Sequence, residues 1–180
     1  ACILSDYPAK GGRTGYAVGL DTPRSVVAIA DRLMRERYDT GPPDDEAALV
    51  AALSAGRTTA ILTVADYERM LAALPASFTE GIRSAWGWRA DDAAIEDGAF
   101  HVRIVRAGKL LAAVQPDRGD AGSRKTDYHS PLLPPRHGYV AFYLWLRHVE
   151  RVRANINETP FVDAVINAFH AITPKLQRRA

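Results

Sequence analysis

The chain has 180 residues, 47% of them hydrophobic and 24% charged, with a formal net charge of +2. That length suffices for one domain with a real core, or for one lobe of something larger, and so small a charge gives no argument for nucleic acid or an anionic membrane. The lone Cys2 excludes an internal disulfide and every multi-cysteine zinc pattern, no apolar run approaches the ~18 residues of a membrane span, and a reducing cytoplasm is the expected compartment.

The chain opens ACILSDYP, as if already inside a strand and without a signal-peptide layout, which predicts a piece of a longer polypeptide. Cys2 to Leu4 reads as a short buried strand. Lys10-Gly11-Gly12-Arg13-Thr14-Gly15 follows, a flexible loop with two cations. Such a loop can present N–H groups to an anion, but it fits neither the Walker A spacing nor G-x-G-x-x-G. A plain loop, or a contact to a carboxylated ligand, is preferred to nucleotide binding. Leu20-Asp21-Thr22-Pro23 predicts a helix start, with Thr22 as N-cap and Pro23 in the first turn. Val26, Ile29, Ala30, Leu33 and Met34 keep helical periodicity, and the helix should end near Tyr38, before Gly41-Pro42-Pro43. The acidic start Asp44-Asp45-Glu46 opens a second helix through Leu53, with Gly56 just past its end. Strand, glycine loop, helix, helix is α/β grammar.

Arg57 to Leu62 is a strand or a linker. Thr63 caps the next helix, with Asp66 in capping-box position. Tyr67, Met70, Leu71 and Leu74 give that helix an apolar face, Pro75 ends it, and Ser77 to Trp86 forms another. Trp86 and Trp88 read as core or loop anchors rather than cofactor stackers. Phe100 to Ile104 alternates as a half-buried strand that places His101 and Arg103 on the polar face. Ala107-Gly108 turns it, and Leu110 to Val114 returns as a second strand. Gln115 to Gly119 ends this hairpin, and Asp120 to Lys125 is a polar loop.

The densest chemical signal is Asp127 to Arg147, DYHSPLLPPRHGYVAFYLWLR. His129 and His137 flank Pro131, Pro134 and Pro135, and prolines fix φ and extend the residues before them, so this is a shaped loop. After Gly138, Tyr139, Phe142, Tyr143 and Leu146 predict a helix with one broad buried face. Two imidazoles near the mouth of a buried helix suit a metal or polar-ligand site. The alternative is that His137 caps or packs against the helix and His129 is a surface loop residue, because two histidines do not make a metal site. Beyond Arg147 the texture changes. Arg151 and Arg153 sit in a polar run, Phe161, Val165, Ala168 and Phe169 suggest a short amphipathic helix, and Lys175 to Arg179 reads as a basic tail.

Several ordered stretches then carry a resemblance. The run LSDYPAKGGRTGYAVGLDTPRSVV, with its GLDTP segment, resembles the large subunit of aerobic cobaltochelatase, a family related to the large subunit of magnesium chelatase. LPASFTEGIRSAWG, DGAFHVRIVRAGKLLAAVQPDRG and YHSPLLPPRHGYVAFYLWLR resemble the same family in the same order, over Ile3 to Arg147. The resemblance implies insertion of a divalent metal into a tetrapyrrole. In the cobalt branch, that means Co2+ entering hydrogenobyrinic acid a,c-diamide on the route to cobalamin. It also implies separate AAA+-type partner subunits that use ATP, in keeping with the missing Walker A loop. YHSPLLPP looks closer to the cobalt branch than to the magnesium branch. On this resemblance His137 and His129 are the expected transient metal ligands or bases. Asp127 and Tyr128 would orient them, with Tyr128 also counted among the substrate contacts, and Lys10, Arg13 and Arg118 would pair with carboxylates of the corrin.

The resemblance also implies a glycine-histidine motif, H-x-G-x-H-G-[ST]-x-E, soon after the FYLWLR helix; here the chain reads HVERVRANINETPFVDAVINAFHAITPKLQRRA, with only His148 and His170. Residues 1–147 are therefore expected to be a partial chelatase-like region and residues 148–180 a divergent, partly helical basic tail, inactive alone and prone to self-association. Alternatives are a non-catalytic tetrapyrrole- or metal-binding remnant, or the large subunit of a magnesium or nickel chelatase. The expected fold is α/β: a Rossmann-like strand-helix layer, a helical pair, a β-hairpin, and a histidine-containing loop leading into helices.

Overall fold

A computed structural model describes residues 1–4, 15, 21–41, 45–55, 58–88, 92–120, 130 and 132–154. The chain divides into two compact units, Ala1–Phe142 and Tyr143–Ala180. The first carries two small sheets, each with its own pair of helices.

The first sheet has the order β1 (Cys2–Leu4), β6 (Leu110–Val114), β5 (Ile104–Ala107). β1 lies parallel to β6, with Leu4 opposite Val114, and β5 returns antiparallel to β6 through the Gly108 turn. Helices α1 (Thr22–Arg35) and α2 (Glu46–Ala55) bring Val26, Leu49 and Leu53 into one core with Leu4 and Ala112. β6 reads LLAAV, and its two buried alanines make it a slim centre that backbone and side chains can approach closely.

Caps set the helix ends. Asp21 is the N-cap of α1, accepting from the Arg24 amide at 3.1 Å. Thr22, expected in that role, is the first helical residue; its buried hydroxyl donates to the Gly15 carbonyl and so fastens the far end of the glycine-rich loop. α1 stops at Arg35, short of Tyr38, because Arg37 takes φ +65°. The Arg37 amide donates to Met34 and that of Tyr38 to Leu33, a Schellman closure made without glycine. Asp45 caps α2 through the Ala48 amide at 2.8 Å.

The second sheet has the order β2 (Thr59–Thr63), β4 (Ala99–Val102), β3 (Ile95–Glu96), all antiparallel, with a register shift between Ala60 and Leu62. Helices α3 (Val64–Ala72) and α4 (Ala76–Trp86) accompany it. Thr63 caps α3 from the Asp66 amide at 3.1 Å while donating its own hydroxyl to the Asp66 carboxylate at 2.7 Å. Tyr67, Leu71, Ile82, Phe100 and Leu62 are buried in this layer, and the rings of Tyr67 and Phe100 meet at 4.7 Å between centroids.

The α/β character, the helical pair, the hairpin and the helix after the histidine segment agree with the sequence. The layering differs. A doubly wound fold places the strand after the first helix beside β1; here β1's neighbour is β6, and β2 lies in the other sheet. The single strand expected over Phe100 to Ile104 is also two strands. At exposed Arg103 the chain leaves the second sheet, and Ile104 pairs with Ala113 of the first. His101 is half-buried on β4, with its ring 3.3 Å from the Thr58 hydroxyl. The last helix of the first unit, α5 (His137–Ala154), begins one residue before Gly138 and continues into the second unit.

Candidate functional site

β1 and β6 run parallel and finish level, so the chain leaves both at one carboxyl edge, and the Gln115 amide donates to the Leu4 carbonyl there at 2.9 Å. In parallel α/β sheets this edge is where ligand-binding loops collect. Lys10 and Arg13 follow β1. Arg118, Asp127, Tyr128 and His129 follow β6. The Gln115 side chain donates to the Tyr139 hydroxyl at 3.0 Å, which brings the head of α5 to the same edge.

His137, the first residue of α5, is 3% exposed. Its Nε2 lies 3.2 Å from the Gly87 carbonyl, and its Nδ1 lies 2.8 Å from the Tyr67 hydroxyl. A carbonyl only accepts, so Nε2 carries the proton; Nδ1 is then bare and accepts from Tyr67. The tyrosine ring meets the imidazole edge-on, at 5.7 Å and 84°. Both ring nitrogens are thus engaged within the fold, and coordination of a metal would require breaking one of these bonds.

Arg118 is likewise turned inward. Its two guanidinium nitrogens donate to the carbonyls of Ser130 and Leu133 at 2.6 and 2.7 Å, and its own carbonyl accepts from the Arg136 amide at 2.9 Å. Arg118 therefore clamps the segment that precedes α5. Lys10, Arg13, Asp127, Tyr128 and His129 lie outside the described residues. Of the seven residues singled out in the sequence, the structure brings Arg118 and His137 to one segment and gives both internal partners.

The residues that the sequence did not single out are those holding this segment from the other side. The turn after α4 and the segment leading into β3 face it bond for bond. The Trp86 indole N–H donates to the Pro134 carbonyl at 2.7 Å, and Gly87 accepts from His137. Asp92, 8% exposed, accepts from the Gly138 amide at 3.1 Å and from the Ala94 amide at 3.0 Å. Its charge sits at the N-terminus of α5, where the unpaired amides favour an anion. Arg136 lies 3.6 Å from the Asp92 carboxylate, pairs with Asp120, and stacks over the Trp86 ring at 5.1 Å. Trp86 thus acts as the loop anchor expected of it, whereas Trp88 is 64% exposed beneath the Arg83 guanidinium. The only hint of Asp92 was its place in an acidic stretch before an Asp-Gly turn, and nothing local pairs it with Gly138, 46 residues away.

No group of three or more His, Cys, Asp or Glu able to hold a metal ion occurs among the described residues. An apolar hollow between α1, α2 and β5–β6, lined by Val26, Leu49, Val105 and Leu110 among others, has a volume of about 20 Å³. That is room for about one water, not for an organic ligand. No helix of the described residues is long and apolar enough to cross a membrane.

The family model described as CobN/Magnesium Chelatase matches residues 1–157. The chain is 37% identical over 157 residues to the aerobic cobaltochelatase subunit CobN of Sinorhizobium, a match covering 82% of this chain and 12% of that protein. It is 27% identical over 154 residues to the large (H-type) magnesium-chelatase protein of Chlorobaculum parvum, covering 81% and 12%. Among solved structures, the catalytic subunit of cobaltochelatase from Mycobacterium tuberculosis superposes with a TM-score of 0.64 at 30% identity, over 81% of this chain and 13% of that one. The chain thus spans about an eighth of the length of the curated relatives it matches.

Proposed function

Because the chain belongs to the CobN/magnesium chelatase family, we propose that it is part of the large, tetrapyrrole-binding subunit of a cobaltochelatase. The whole enzyme inserts Co2+ into hydrogenobyrinic acid a,c-diamide in aerobic cobalamin biosynthesis, and AAA+-type partner subunits hydrolyse the ATP that drives insertion. The observation that carries the choice of metal is the higher identity to a cobalt enzyme, 37% against 27% for a magnesium one.

The chemistry asks for three things. The cation must shed water, two ring N–H groups must lose their protons, and a polyanionic macrocycle must be held face-on. Imidazole is a borderline ligand suited to cobalt and a base suited to neutral pH. In this reading His129 supplies that group, with Asp127 and Tyr128 beside it in sequence to orient it, and Lys10 and Arg13 pair with the corrin carboxylates. The departure of both loops from one sheet edge, at Leu4 and Val114, supports their acting on one ligand. Arg118 acts on the same loop from within, through its bonds to Ser130 and Leu133.

The test is titration of the folded chain with hydrogenobyrinic acid a,c-diamide, with and without Co2+, read by corrinoid absorbance and tryptophan quenching. Saturable binding that weakens on Lys10→Ala, Arg13→Ala or His129→Ala is expected. A folded chain with no saturable corrinoid binding overturns the reading, and preference for a porphyrin with Mg2+ moves it to the magnesium branch.

A further inference from the structure

His137 is the one histidine of the proline-stiffened segment whose surroundings are described, and they are those of a strut. Its imidazole joins three elements. Tyr67 comes from α3, Gly87 from the turn after α4, and His137 itself opens α5. The bonds on either side of it run between the same two chain segments. Trp86 holds Pro134, and Asp92 holds Gly138, so the imidazole is the middle rung of three between residues 86–92 and residues 134–138. The outer rungs use groups that have no metal chemistry, an indole N–H and a carboxylate capping a helix. The middle rung uses the Nε2–H tautomer because its acceptor is a carbonyl.

We propose that His137 is a positioning residue, an Nε2–H imidazole that locks the head of α5 to the turn after α4 and does not ligate the metal at any stage. This rests on the chelatase reading above and deepens it by moving metal handling away from this histidine. Its action runs through α5. With His137 in place, Gly138 stays on Asp92, and Tyr139 stays on Gln115 at the sheet edge from which the candidate ligand-binding loops depart. Gly138 leaves no slack for a shifted helix start, because a Cβ there would stand 2.8 Å from the Ala94 Cβ. A ligand role would need the imidazole to swing out of a site where it is 3% exposed, breaking the middle rung and unseating the first turn of α5.

The experiment is a long-range 1H–15N correlation spectrum of the full chain at neutral pH, without metal and then with Zn2+ as a diamagnetic stand-in for Co2+. His137 is expected to show one pyrrole-type nitrogen at Nε2 and one pyridine-type nitrogen at Nδ1, and to keep both shifts when Zn2+ is added. A proton on Nδ1, or a coordination shift of either nitrogen, overturns the proposal. This outcome does not depend on corrinoid binding, so failure of the chelatase reading and failure of this one are distinguishable. Where corrinoid binding is measurable, His137→Ala should weaken it about tenfold, as loss of a supporting residue does. His137→Gln, which keeps an amide donor near the Nε2 position, should restore most of the loss. Co2+ affinity should be unchanged in both, and its loss in the Gln variant would contradict a positioning role.

Discussion

The sharpest stability consequence of the buried imidazole lies one bond away, in Tyr67→Phe. The substitution keeps the ring, and with it the contact to Phe100 at 4.7 Å, and removes only the hydroxyl that donates to His137 Nδ1 at 2.8 Å. Tyr67 is fully buried and His137 nearly so. The gap left by one oxygen is too small and too apolar to admit a replacement water. The bare nitrogen therefore keeps its desolvation penalty without its partner, which costs about 1–3 kcal/mol. Tautomer exchange does not rescue it. Moving the proton to Nδ1 satisfies nothing on the tyrosine side and turns a bare Nε2 against the Gly87 carbonyl, so the loss is transferred rather than avoided.

Taking the middle of that range, about 2 kcal/mol, the folding equilibrium changes by roughly thirtyfold, and for a chain of this size Tm falls by about 4–8 °C. Urea denaturation followed by tryptophan fluorescence measures it. The midpoint should drop by about 1 M with the slope unchanged, for a slope near ~2 kcal/mol/M. Tyr67→Ala adds a cavity in the second layer and should lose about 3–5 kcal/mol. If Tyr67→Phe unfolds at the wild-type midpoint, the hydroxyl is not bonded to the imidazole and the account of His137 as an internally satisfied residue fails.

Three further outcomes follow from the packing. Gly138→Ala gains helix propensity of about 1 kcal/mol, but its Cβ would meet Ala94 at 2.8 Å and Asp92 at 3.0 Å, an overpacking that costs about 1–3 kcal/mol; thermal denaturation should show net destabilisation, and a raised Tm would contradict the tight helix start. Gly108→Ala forces a side chain onto φ +57° with its Cβ 2.5 Å from the Asp39 carbonyl, the acceptor of the Lys109 amide. Backbone strain and loss of that bond together should cost at least about 2 kcal/mol, read as a lower urea midpoint. Trp86→Phe removes the indole donor from the Pro134 carbonyl and should cost about 1 kcal/mol, measured by calorimetry. An unchanged Tm would mean that the indole does not hold the segment.

The elements that the sequence revealed are those with local signals. Proline in the first turn and apolar periodicity located α1, and Thr63 with Asp66 located the start of α3. Boundaries slipped where two residues competed for one role. Asp21 and Thr22 can both cap; Asp21 does, because the Thr22 hydroxyl is taken by Gly15. The end of α1 was hidden because an arginine, not a glycine, holds the left-handed position at residue 37. The two-residue strand β3 was passed over even though Asp97-Gly98, both at positive φ, is a standard hairpin signal between Ile95-Glu96 and Ala99-Phe100. The parallel pairing of β1 with β6 joins residues more than a hundred positions apart, and no local pattern encodes it.

The histidine segment shows why residue type alone overstated ligand contact there. Prolines 134 and 135 carry no N–H, so this stretch has more carbonyls than donors, and local structure cannot satisfy them. Donor-rich side chains from elsewhere make up the difference. Arg118 serves the carbonyls of Ser130 and Leu133, and Trp86 serves that of Pro134. His137 extends the same logic, with the roles reversed at Gly87, whose carbonyl it satisfies. An arginine and a histidine near a rigid, polar loop therefore have two possible employers, a ligand or the loop's own backbone. The second has first claim wherever the loop is buried, because an unpaired buried carbonyl is a standing penalty while a ligand is bound only part of the time. By that argument the groups left for chemistry at this edge should come from residues that follow the strand ends but lie outside the proline-stiffened turn, which is why Lys10, Arg13 and His129, rather than Arg118 and His137, carry the proposed contacts to metal and macrocycle.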